Sequence, residues 1–438
     1  MPFALRLPAV SIESLIKCAG FTQRFAFAAL LILTPLARGA TPRWIFCIAV
    51  WLALLAFVAM ILKRVWRGER LLPRSPLDPV VALLVLLTLG SLLTSIYPSA
   101  TVWAAIRLLL YVAVFYLTFD LARSRTQTKG LVVAILGVGT ALAFIGFIKY
   151  HQGTLPSFWN YGTPGEETFL TSTFMNHNHI AGYLAMVFTL CLGVFLYRPF
   201  GNLAIWGALL VLILVALCLS MSRGSWIATF VALEFMLISY VYKSQLRRFR
   251  LWSMGLALLL VVFITILASN PVIERLHSVQ NIEETSLKAR LAVWKKSLDV
   301  VLMRPIWGSG LGTFPWSFSQ VRPAGLTHRY REAHNDYVQV ITEMGLPVLV
   351  PLSWGIFLIF RTGLRGLRQT RSRFRLAINL GALGGIIAIL VHSLSDFNIQ
   401  ITANGILFGV LIGLVVGSSD GRSNAQMLGG QPQTLAVR

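Results

Sequence analysis

The sequence alternates between long apolar runs and short connectors that are rich in lysine and arginine. An apolar helix of about 20 residues spans the hydrocarbon core of a bilayer, and many windows of the chain meet this requirement. The composition agrees, because 56% of the residues are hydrophobic and 12% are charged, whereas soluble domains carry roughly 25% charged residues. We therefore predict an all-α, polytopic membrane protein with about 12 transmembrane helices.

The positions of the apolar runs predict the individual spans. The first span is short and is interrupted by Pro35. The predicted spans are 25–37, 44–62, 79–96, 103–121, 131–148, 180–197, 204–219, 226–242, 251–268, 338–360, 376–394 and 401–416.

The net charge of +22 is concentrated in alternate connectors between the apolar runs, including residues 63–74, 123–129, 243–250 and 361–375. This distribution is a topology signal rather than the basic surface of a nucleic-acid-binding protein, and no nucleic-acid partner is predicted. The positive-inside rule places both termini and the basic connectors in the cytoplasm, so the other connectors face outward. In a Gram-negative cell the outward side is the periplasm, and the chain is then a multi-pass protein of the inner membrane.

The longest polar interval, residues 270–337, separates the ninth predicted span from the tenth. It contains an amphipathic run and a glycine series, so we predict a partly helical periplasmic loop that carries the chemistry. The predicted division is a cytoplasmic N-terminal segment (1–24), helices 1–9 (25–269), the loop (270–337), helices 10–12 (338–416) and a disordered cytoplasmic tail (417–438).

Patterns for metal and cofactor binding are missing from the sequence. No outward connector carries an Asp-x-Asp pair or a His, Asp and Glu cluster with the spacing of metal ligands. Walker A, GxSxG and GxGxxG patterns are also missing. We predict metal-free chemistry without a cofactor. No disulfide framework is indicated, because the four cysteines lie in the N-terminal segment or in apolar runs: Cys18, Cys47, Cys191 and Cys218.

Two arginines are candidates for binding an anionic group at the outer surface. Arg223 follows the seventh span in MSRGSW, and Arg290 lies in KARLAVW, on a predicted amphipathic surface helix. A guanidinium grips phosphate through two parallel hydrogen bonds, so both residues suit a phosphate-bearing substrate. The structural alternatives are that Arg223 extends to the lipid headgroups and that Arg290 belongs to a plain interfacial helix.

His334, in AHNDYVQV, is the candidate general base, because imidazole exchanges a proton near neutral pH. Asp336 and Glu332 are the candidates to orient its ring, and a structural role at the start of a helix is the alternative. His392 and Asp396 are four residues apart, which places them on one helical face near the outer surface. A structural pair is the favoured interpretation of these two residues.

Five sequence blocks, in this order, resemble the O-antigen ligase and O-antigen polymerase superfamily of bacterial envelopes. The resemblance extends from residue 174 to residue 397. Each block falls on the outward side of the predicted topology, so the ordered set is more specific than any single block. The blocks are FMNHNHIAGYLA, LSMSRGSW, RLAVWKKSLDVVLMRPIWGSGLGTF, AHNDYVQVITEMGLP and HSLSDFNI.

The resemblance implies a glycosyltransferase that uses a glycan linked to undecaprenyl diphosphate. The family's arginines match Arg223 and Arg290, which implies diphosphate binding, and its histidine matches His334, which implies activation of the acceptor hydroxyl. A single direct displacement would invert the anomeric centre. The candidate supporting residues are Asn335, Asp336, His392, Asp396, Asn176 and Asn178.

An O-antigen ligase is the first choice, because the span count and the single large outward loop look like those of the ligases. Its acceptor would be a sugar hydroxyl of lipid A-core, and membrane lipids complete the predicted partners. The alternatives are an O-antigen polymerase or a protein O-glycosyltransferase with the same donor. A membrane transporter is the alternative from another class, which would show inverted repeats and ionisable groups at the midplane. No internal repeat is evident, and only Glu234 is placed deeply; the oligomeric state stays open.

Overall fold

A computed structural model describes residues 11–153, 169–244, 287–323 and 330–419. Within these ranges all regular secondary structure is helical, and three short 3-10 helices (Arg38–Ala40, Leu346–Val348 and Asn398–Gln400) accompany the α-helices. The α-helices are α1 (Ile12–Leu36), α2 (Arg43–Trp66), α3 (Asp78–Thr94), α4 (Pro98–Leu121), α5 (Arg125–Gln152), α6 (His177–Tyr197), α7 (Leu203–Leu219), α8 (Arg223–Ser244), α9 (Leu287–Met303), α10 (Phe314–Ser319), α11 (Asp336–Met344), α12 (Leu349–Gln369), α13 (Arg373–His392) and α14 (Thr402–Ser419).

Nine of the described helices are long and apolar enough to cross a membrane. Helices α3 and α7 are also apolar but have 17 residues each, which is at the lower limit for a helix that spans the hydrocarbon core. The prediction of an all-α polytopic membrane protein is confirmed. The predicted ninth span, residues 251–268, lies outside the described residues, as does most of the tail.

Two of the predicted spans have wrong boundaries. Helix α1 begins at Ile12 rather than at residue 25, because the Ser11 side chain caps it by accepting a hydrogen bond from the backbone N–H of Ser14. The predicted tenth span, 338–360, is two helices: α11 ends at Gly345, which has a φ of 75°, and α12 follows after a short 3-10 helix. A glycine with positive φ and extended ψ does not continue a right-handed helix, so α11 belongs to the loop that precedes α12.

Helices α6, α13 and α14 form the centre of the bundle, with 83% of each apolar window buried inside the protein. Small residues allow α6 and α13 to cross closely, since a Cβ added to Gly193 would overlap the carbonyl oxygen of Ala377 and lie 2.9 Å from the backbone nitrogen of Gly381. Close backbone approach at small residues is a principal source of helix association in lipid. The central helices therefore hold fixed positions for the residues at their ends.

The two ends of the bundle differ in their polar residues. One end, which we call the loop face, carries α9, α10 and α11 together with the first residues of α6 and α8. The other end, which we call the basic face, carries the Lys- and Arg-rich connectors after α2, α4 and α12. At the basic face, Asp120 accepts hydrogen bonds from Lys63 (2.6 Å), Arg64 (2.8 Å) and Gln23 (3.1 Å), which joins α1, α2 and α4.

Replacement of Gly193 by Val is expected to destabilise the bundle by about 1–3 kcal/mol, because the added methyl groups would force α6 away from α13. Gly137→Val is the matched control, since no atom lies within 4 Å of a Cβ at that position and the change in helix propensity is the same. Thermal unfolding of the detergent-purified variants measures the difference. An equal loss of stability in both variants would contradict the assignment of this crossing.

Candidate functional site

The residues singled out in the sequence meet at the segment that follows α13. Residues 393–397, which we call the 393–397 turn, connect the end of α13 to the 3-10 helix that precedes α14. Parts of the chain far apart in sequence contact this turn from α9, α11, α6 and the first turn of α8. The 393–397 turn is therefore the structural centre of the candidate site.

The start of α11 is fastened to the 393–397 turn. Asn335 caps α11 by accepting hydrogen bonds from its first backbone N–H groups, and the Asn335 Nδ2 donates to the carbonyl oxygen of Leu394 at 3.0 Å. The backbone N–H of Asp336 donates to the carbonyl oxygen of Ser393 at 3.0 Å. The Ser393 hydroxyl in turn donates to Oδ2 of Asp336 at 2.7 Å. These five bonds fix the residue immediately before Asn335.

That residue is His334, whose backbone has a φ of 51°, a conformation that is uncommon for residues other than glycine. Its Nδ1 lies 3.4 Å from Oδ1 of Asp396, and the side chains are 29% and 3% exposed respectively. The His334 ring also packs edge-on against Phe397, with 5.0 Å between ring centroids. The prediction that Asp336 or Glu332 orients the ring is wrong, because the carboxylate that contacts the His334 ring belongs to Asp396.

Asp396 is a buried carboxylate that remains charged. Burial acts to raise the pKa of Asp396, but hydrogen bonding with His334 and the neighbouring imidazoles outweigh it and hold this pKa well below its usual range. Its Oδ1 also accepts the backbone N–H of Phe397 at 2.9 Å. A buried anion beside Nδ1 favours the tautomer of His334 with its proton on Nδ1, which leaves Nε2 as the acceptor.

The expected placement of His392 and Asp396 on one helical face is wrong. Helix α13 ends at His392, so Asp396 lies in the turn rather than on the next turn of the helix. His392 instead contacts Asn398 through Nδ1 at 3.2 Å and the Ser222 hydroxyl through Nε2 at 3.5 Å. His392 therefore links the turn to the residue before Arg223.

Arg290, on α9, reaches the same turn. Its Nη1 donates a hydrogen bond to the carbonyl oxygen of Ser395, and its Nε is buried without a hydrogen-bond partner among the described residues. Trp294, one helical turn further along α9, donates its indole N–H to the carbonyl oxygen of Ala333 at 2.8 Å. Helix α9 is thus attached both to the 393–397 turn and to the residue before His334.

Arg223 begins α8 and is exposed. The next residue, Gly224, packs against the turn: a Cβ at this position would overlap the Ser395 hydroxyl and lie 3.1 Å from Cδ2 of His392. The side chain of Arg223 therefore leaves the backbone beside the residue whose carbonyl group holds Arg290. In the part of the chain that the structure describes, Arg223 makes no hydrogen bond or ion pair.

The first turn of α6 supplies further polar groups. Asn176 caps this helix by accepting the backbone N–H of Asn178 at 2.7 Å, which is a structural role. His177 donates a hydrogen bond from Nδ1 to the carbonyl oxygen of Ser220 at 2.7 Å. His179 packs edge-on against Phe397, with 4.8 Å between centroids. The ring of Phe397 therefore contacts both His179 and His334, although only Asn176 and Asn178 were predicted from this block.

A second group of buried carboxyls supports the loop. Gln339 donates through Nε2 to Glu332 and, at 3.2 Å, to Oε1 of Glu343. The Glu343 carboxyl accepts the backbone N–H groups of Gly312 at 2.7 Å and Phe314 at 3.2 Å. Burial raises the pKa of Glu343 to about 7 and also raises the pKa of Glu332. These side chains join α11 to the glycine series before α10.

The glycine series lies directly against the ends of α3 and α4 at the loop face. Gly308, Gly310 and Gly312 have φ values of 64°, 105° and 79°, which favour glycine. A Cβ at Gly312 would lie 2.8 Å from the Cβ of Ala104, and the backbone N–H of Ile96 donates to the carbonyl oxygen of Ser309 at 2.9 Å. The loop is therefore seated on the bundle by backbone contacts.

The assembled groups can bind an anion and move a proton. The Arg290 guanidinium bonds the carbonyl group of Ser395, and Arg223 precedes Gly224, which packs against the same residue. The His334 imidazole contacts the carboxylate of Asp396, the next residue of the turn. Guanidinium groups compensate phosphate charge, and a positioned imidazole accepts a proton from a hydroxyl group. Within the described ranges no group of three or more His, Cys, Asp or Glu side chains could hold a metal ion. His328, another polar residue of the loop, lies outside these ranges.

Sequence reasoning missed three contributors to the site. His179 lies in the quoted FMNHNHIAGYLA block, and its spacing of three residues from the helix-capping Asn176 places it in the first turn of α6. Glu343 was assigned to a membrane span because the break at Gly345 was not recognised. The Ser395 carbonyl group has no sequence signal, because any residue supplies one.

Comparison with known proteins gives a match that covers part of the candidate site. Residues 208–353 match a family model described as O-antigen ligase. The match includes Arg223 and Arg290 as well as His334, and it ends before the 393–397 turn. A search of curated proteins found no match.

Replacement of Asp336 by Asn is expected to remove a pH dependence of stability. Burial raises the pKa of Asp336 to about 7, although Ser393 and the backbone N–H of Ile399 donate to it. Its unfolded pKa is about 4, so folding favours the protonated form, and stability falls as the pH rises from about 4 to about 7. The loss between pH 5 and pH 8 should be roughly 2 kcal/mol smaller in Asp336→Asn.

Thermal unfolding of detergent-purified protein at both pH values measures this difference. Asp299→Asn is a control that removes a partly exposed carboxylate of α9, which pairs with Lys296. Equal pH dependence in Asp336→Asn and the unmodified chain would show that Asp336 does not titrate in this range.

Proposed function

The match over residues 208–353 supports membership of the O-antigen ligase and polymerase superfamily, and on this premise we propose that the chain is an O-antigen ligase. It transfers a glycan from undecaprenyl diphosphate to a sugar hydroxyl of lipid A-core. The reaction takes place at the loop face, which the distribution of basic connectors assigns to the periplasm. The termini and the basic face are then cytoplasmic, and the chain lies in the inner membrane.

One observation carries this proposal. Arg290 contacts Ser395, Gly224 packs against the same residue, and His334 contacts the adjacent Asp396. These contacts, from three distant parts of the sequence, bring the Arg290 guanidinium, the backbone next to Arg223 and the His334 imidazole to one turn, which supports the proposal. A diphosphate at the membrane surface and a hydroxyl that must lose a proton require this combination of groups.

In the proposed reaction, Arg223 and Arg290 bind the diphosphate of the donor while its polyprenyl chain stays in the bilayer. The acceptor hydroxyl oxygen attacks the anomeric carbon and gives its proton to Nε2 of His334. The bond between the anomeric carbon and the diphosphate oxygen breaks, and the diphosphate leaves with the bonding electrons. A single displacement of this kind inverts the anomeric configuration.

The residues have distinct energetic roles in this scheme. Negative charge grows on the departing diphosphate, and positive groups held where charge develops lower the barrier by several kcal/mol. A positioned general base contributes roughly a hundredfold or more. Asp396 stabilises the imidazolium that forms on His334 and keeps Nδ1 turned away from the acceptor. The two arginines supply the positive charge that other transferases obtain from a divalent cation, so the proposed reaction is metal-independent.

A polymerase or a protein O-glycosyltransferase would use the same donor site with another acceptor. Purified protein supplied with carrier-linked glycan and rough lipopolysaccharide distinguishes them. Slower gel migration of the lipopolysaccharide identifies a ligase, lengthening of the carrier-linked glycan alone identifies a polymerase, and glycan transfer to protein identifies the third activity. The assay is run with and without a chelator. A transporter would instead depend on the proton gradient and would leave the glycan linkage unchanged.

We predict that Arg223→Ala, Arg290→Ala and His334→Ala each reduce transfer to background in this assay. The first two remove charge compensation for the diphosphate, and the third removes the base. Arg43→Ala and His151→Ala are matched controls, because both residues are exposed at the loop face and neither contacts the 393–397 turn. Full transfer by any of the three variants, at normal levels in the membrane, would refute the assigned role.

We further predict that Asp396→Ala reduces the transfer rate by about a hundredfold while donor binding is retained. Asp396 is a positioning residue, so its loss should lower kcat and leave KM for the carrier-linked donor nearly unchanged. Asp396→Glu should restore part of kcat, because it returns a carboxylate to His334. A rise in KM with unchanged kcat would indicate that Asp396 supports donor binding instead.

A further inference from the structure

A cavity of about 1810 Å³ opens at the basic face, at the opposite end of the bundle from the candidate site. Its walls come from α1, α2, the connector after α2, the end of α4 and the last turns of α12. Ten of the lining residues are Lys or Arg and two are acidic. The proposed transferase chemistry uses none of these residues.

Both acidic residues of the cavity are already neutralised. Asp120 lies 2.6 Å from Lys63 and 2.8 Å from Arg64, and Glu69 lies 3.0 Å from the same Arg64. The acids therefore hold one wall together, and the lining has no further acidic residue to compensate the exposed arginines at the opening. Six exposed arginines lie around the opening: Arg24, Arg67, Arg70, Arg74, Arg361 and Arg365.

Membrane topology alone does not require this arrangement. The positive-inside rule depends on the number of cations near a membrane face, and cations scattered over exposed connectors satisfy it equally. Here Lys63 and Arg64 are 8% and 4% exposed, and burial of charged groups costs several kcal/mol of desolvation unless they are well paired. Their pairing with Asp120 holds them in fixed positions in the cavity lining, to which α12 contributes Arg361 and Arg365.

The chemistry of the lining indicates the class of ligand. Converging guanidinium groups match phosphate oxygens through paired hydrogen bonds. The cavity also has an apolar side, to which Ile16, Phe119, Leu358 and Val416 contribute. Leu358 lies three residues before Arg361 on α12, so an apolar surface is followed by a cationic surface along the helix. A lipid with its acyl chains in the bilayer and its headgroup at the basic face matches this order. Basic pockets between membrane helices at this level bind phosphate-bearing lipid headgroups.

We propose that this cavity binds the phosphate groups of an anionic phospholipid from the leaflet at the basic face, with Arg361 and Arg365 of α12 as one pair of ligands and Arg67 and Arg70 of the connector after α2 as the other. The two pairs are far apart in the sequence. A headgroup with two phosphates, as in cardiolipin, contacts both pairs at once. Bound lipid then connects α12 to the connector after α2.

The test measures binding of fluorescently labelled cardiolipin to the purified full-length chain in detergent. Arg361→Gln combined with Arg365→Gln should weaken binding by at least about tenfold, since each cation near an anionic headgroup contributes roughly a fivefold effect. Arg368→Gln combined with Arg371→Gln is the matched control: both residues are exposed at the same face and outside the cavity lining. Arg67→Gln combined with Arg70→Gln repeats the test with the other pair of ligands.

Competition identifies the source of the phosphate. Displacement by unlabelled cardiolipin but not by phosphatidylcholine or inorganic pyrophosphate supports a lipid headgroup. Displacement by pyrophosphate at a similar concentration also supports the site but assigns it to a soluble phosphate compound. Equal weakening in the cavity and control pairs, or equal binding of cardiolipin and phosphatidylcholine, would overturn the proposal. Binding is measured without glycan transfer, so the outcome is independent of the proposed enzymatic function.

Discussion

The candidate site depends on backbone carbonyl groups of the last turn of α13 and of the 393–397 turn that follows it. Carbonyl groups at and beyond a helix end need hydrogen-bond donors from elsewhere in the protein. Helix α11 supplies two of these donors: the Tyr337 hydroxyl bonds Leu390 at 2.9 Å, and the Asp336 backbone N–H bonds Ser393. Further along, the Asn335 side chain bonds Leu394 and Arg290 bonds Ser395. Donors to these neighbouring carbonyl groups thus bring α9 and α11 to the same place.

This arrangement has an electrostatic consequence for the two kinds of site residue. Among the described residues, Arg290 is held by a carbonyl oxygen rather than by a carboxylate, so its positive charge is available to an anionic substrate. The C-terminal end of α13 also carries partial negative charge, which favours a cation there. His334 is held by the charged Asp396 instead, which suits a residue that must accept a proton. Each group thus has the anchor that its proposed role requires. At the basic face, the Asp120 carboxylate instead neutralises Lys63 and Arg64, and the three side chains together line the cavity.

The apolar runs were sufficient to predict the membrane fold, because length and hydrophobicity alone determine whether a helix can span the bilayer. They did not predict where α11 ends, since Gly345 followed by Leu346 and Pro347 reads as a continuous apolar segment. Arg223, Arg290 and His334 could be selected as candidates from their residue types and sequence blocks. Their placement around the 393–397 turn could not, because it depends on backbone carbonyl groups and on the packing of Gly224, the residue after Arg223. The pairing of His334 with Asp396 also escaped the sequence, since the two residues are joined only by tertiary structure.

The backbone of His334 shows how the turn and the loop together set the direction of its side chain. A φ of 51° is strained for a histidine, and such strain costs about 1–3 kcal/mol unless the surroundings enforce it. The enforcement comes from both sides: Trp294 holds the carbonyl group of Ala333, and Asn335 is fixed by the cap of α11 and by Leu394. With both neighbours held, His334 cannot relax to an extended conformation without breaking several bonds. The contacts that assemble the site therefore also impose the strained backbone of His334. This backbone conformation directs Nδ1 of the imidazole toward Asp396. In the proposed reaction, Nε2 on the opposite side of the ring is the atom that meets the substrate.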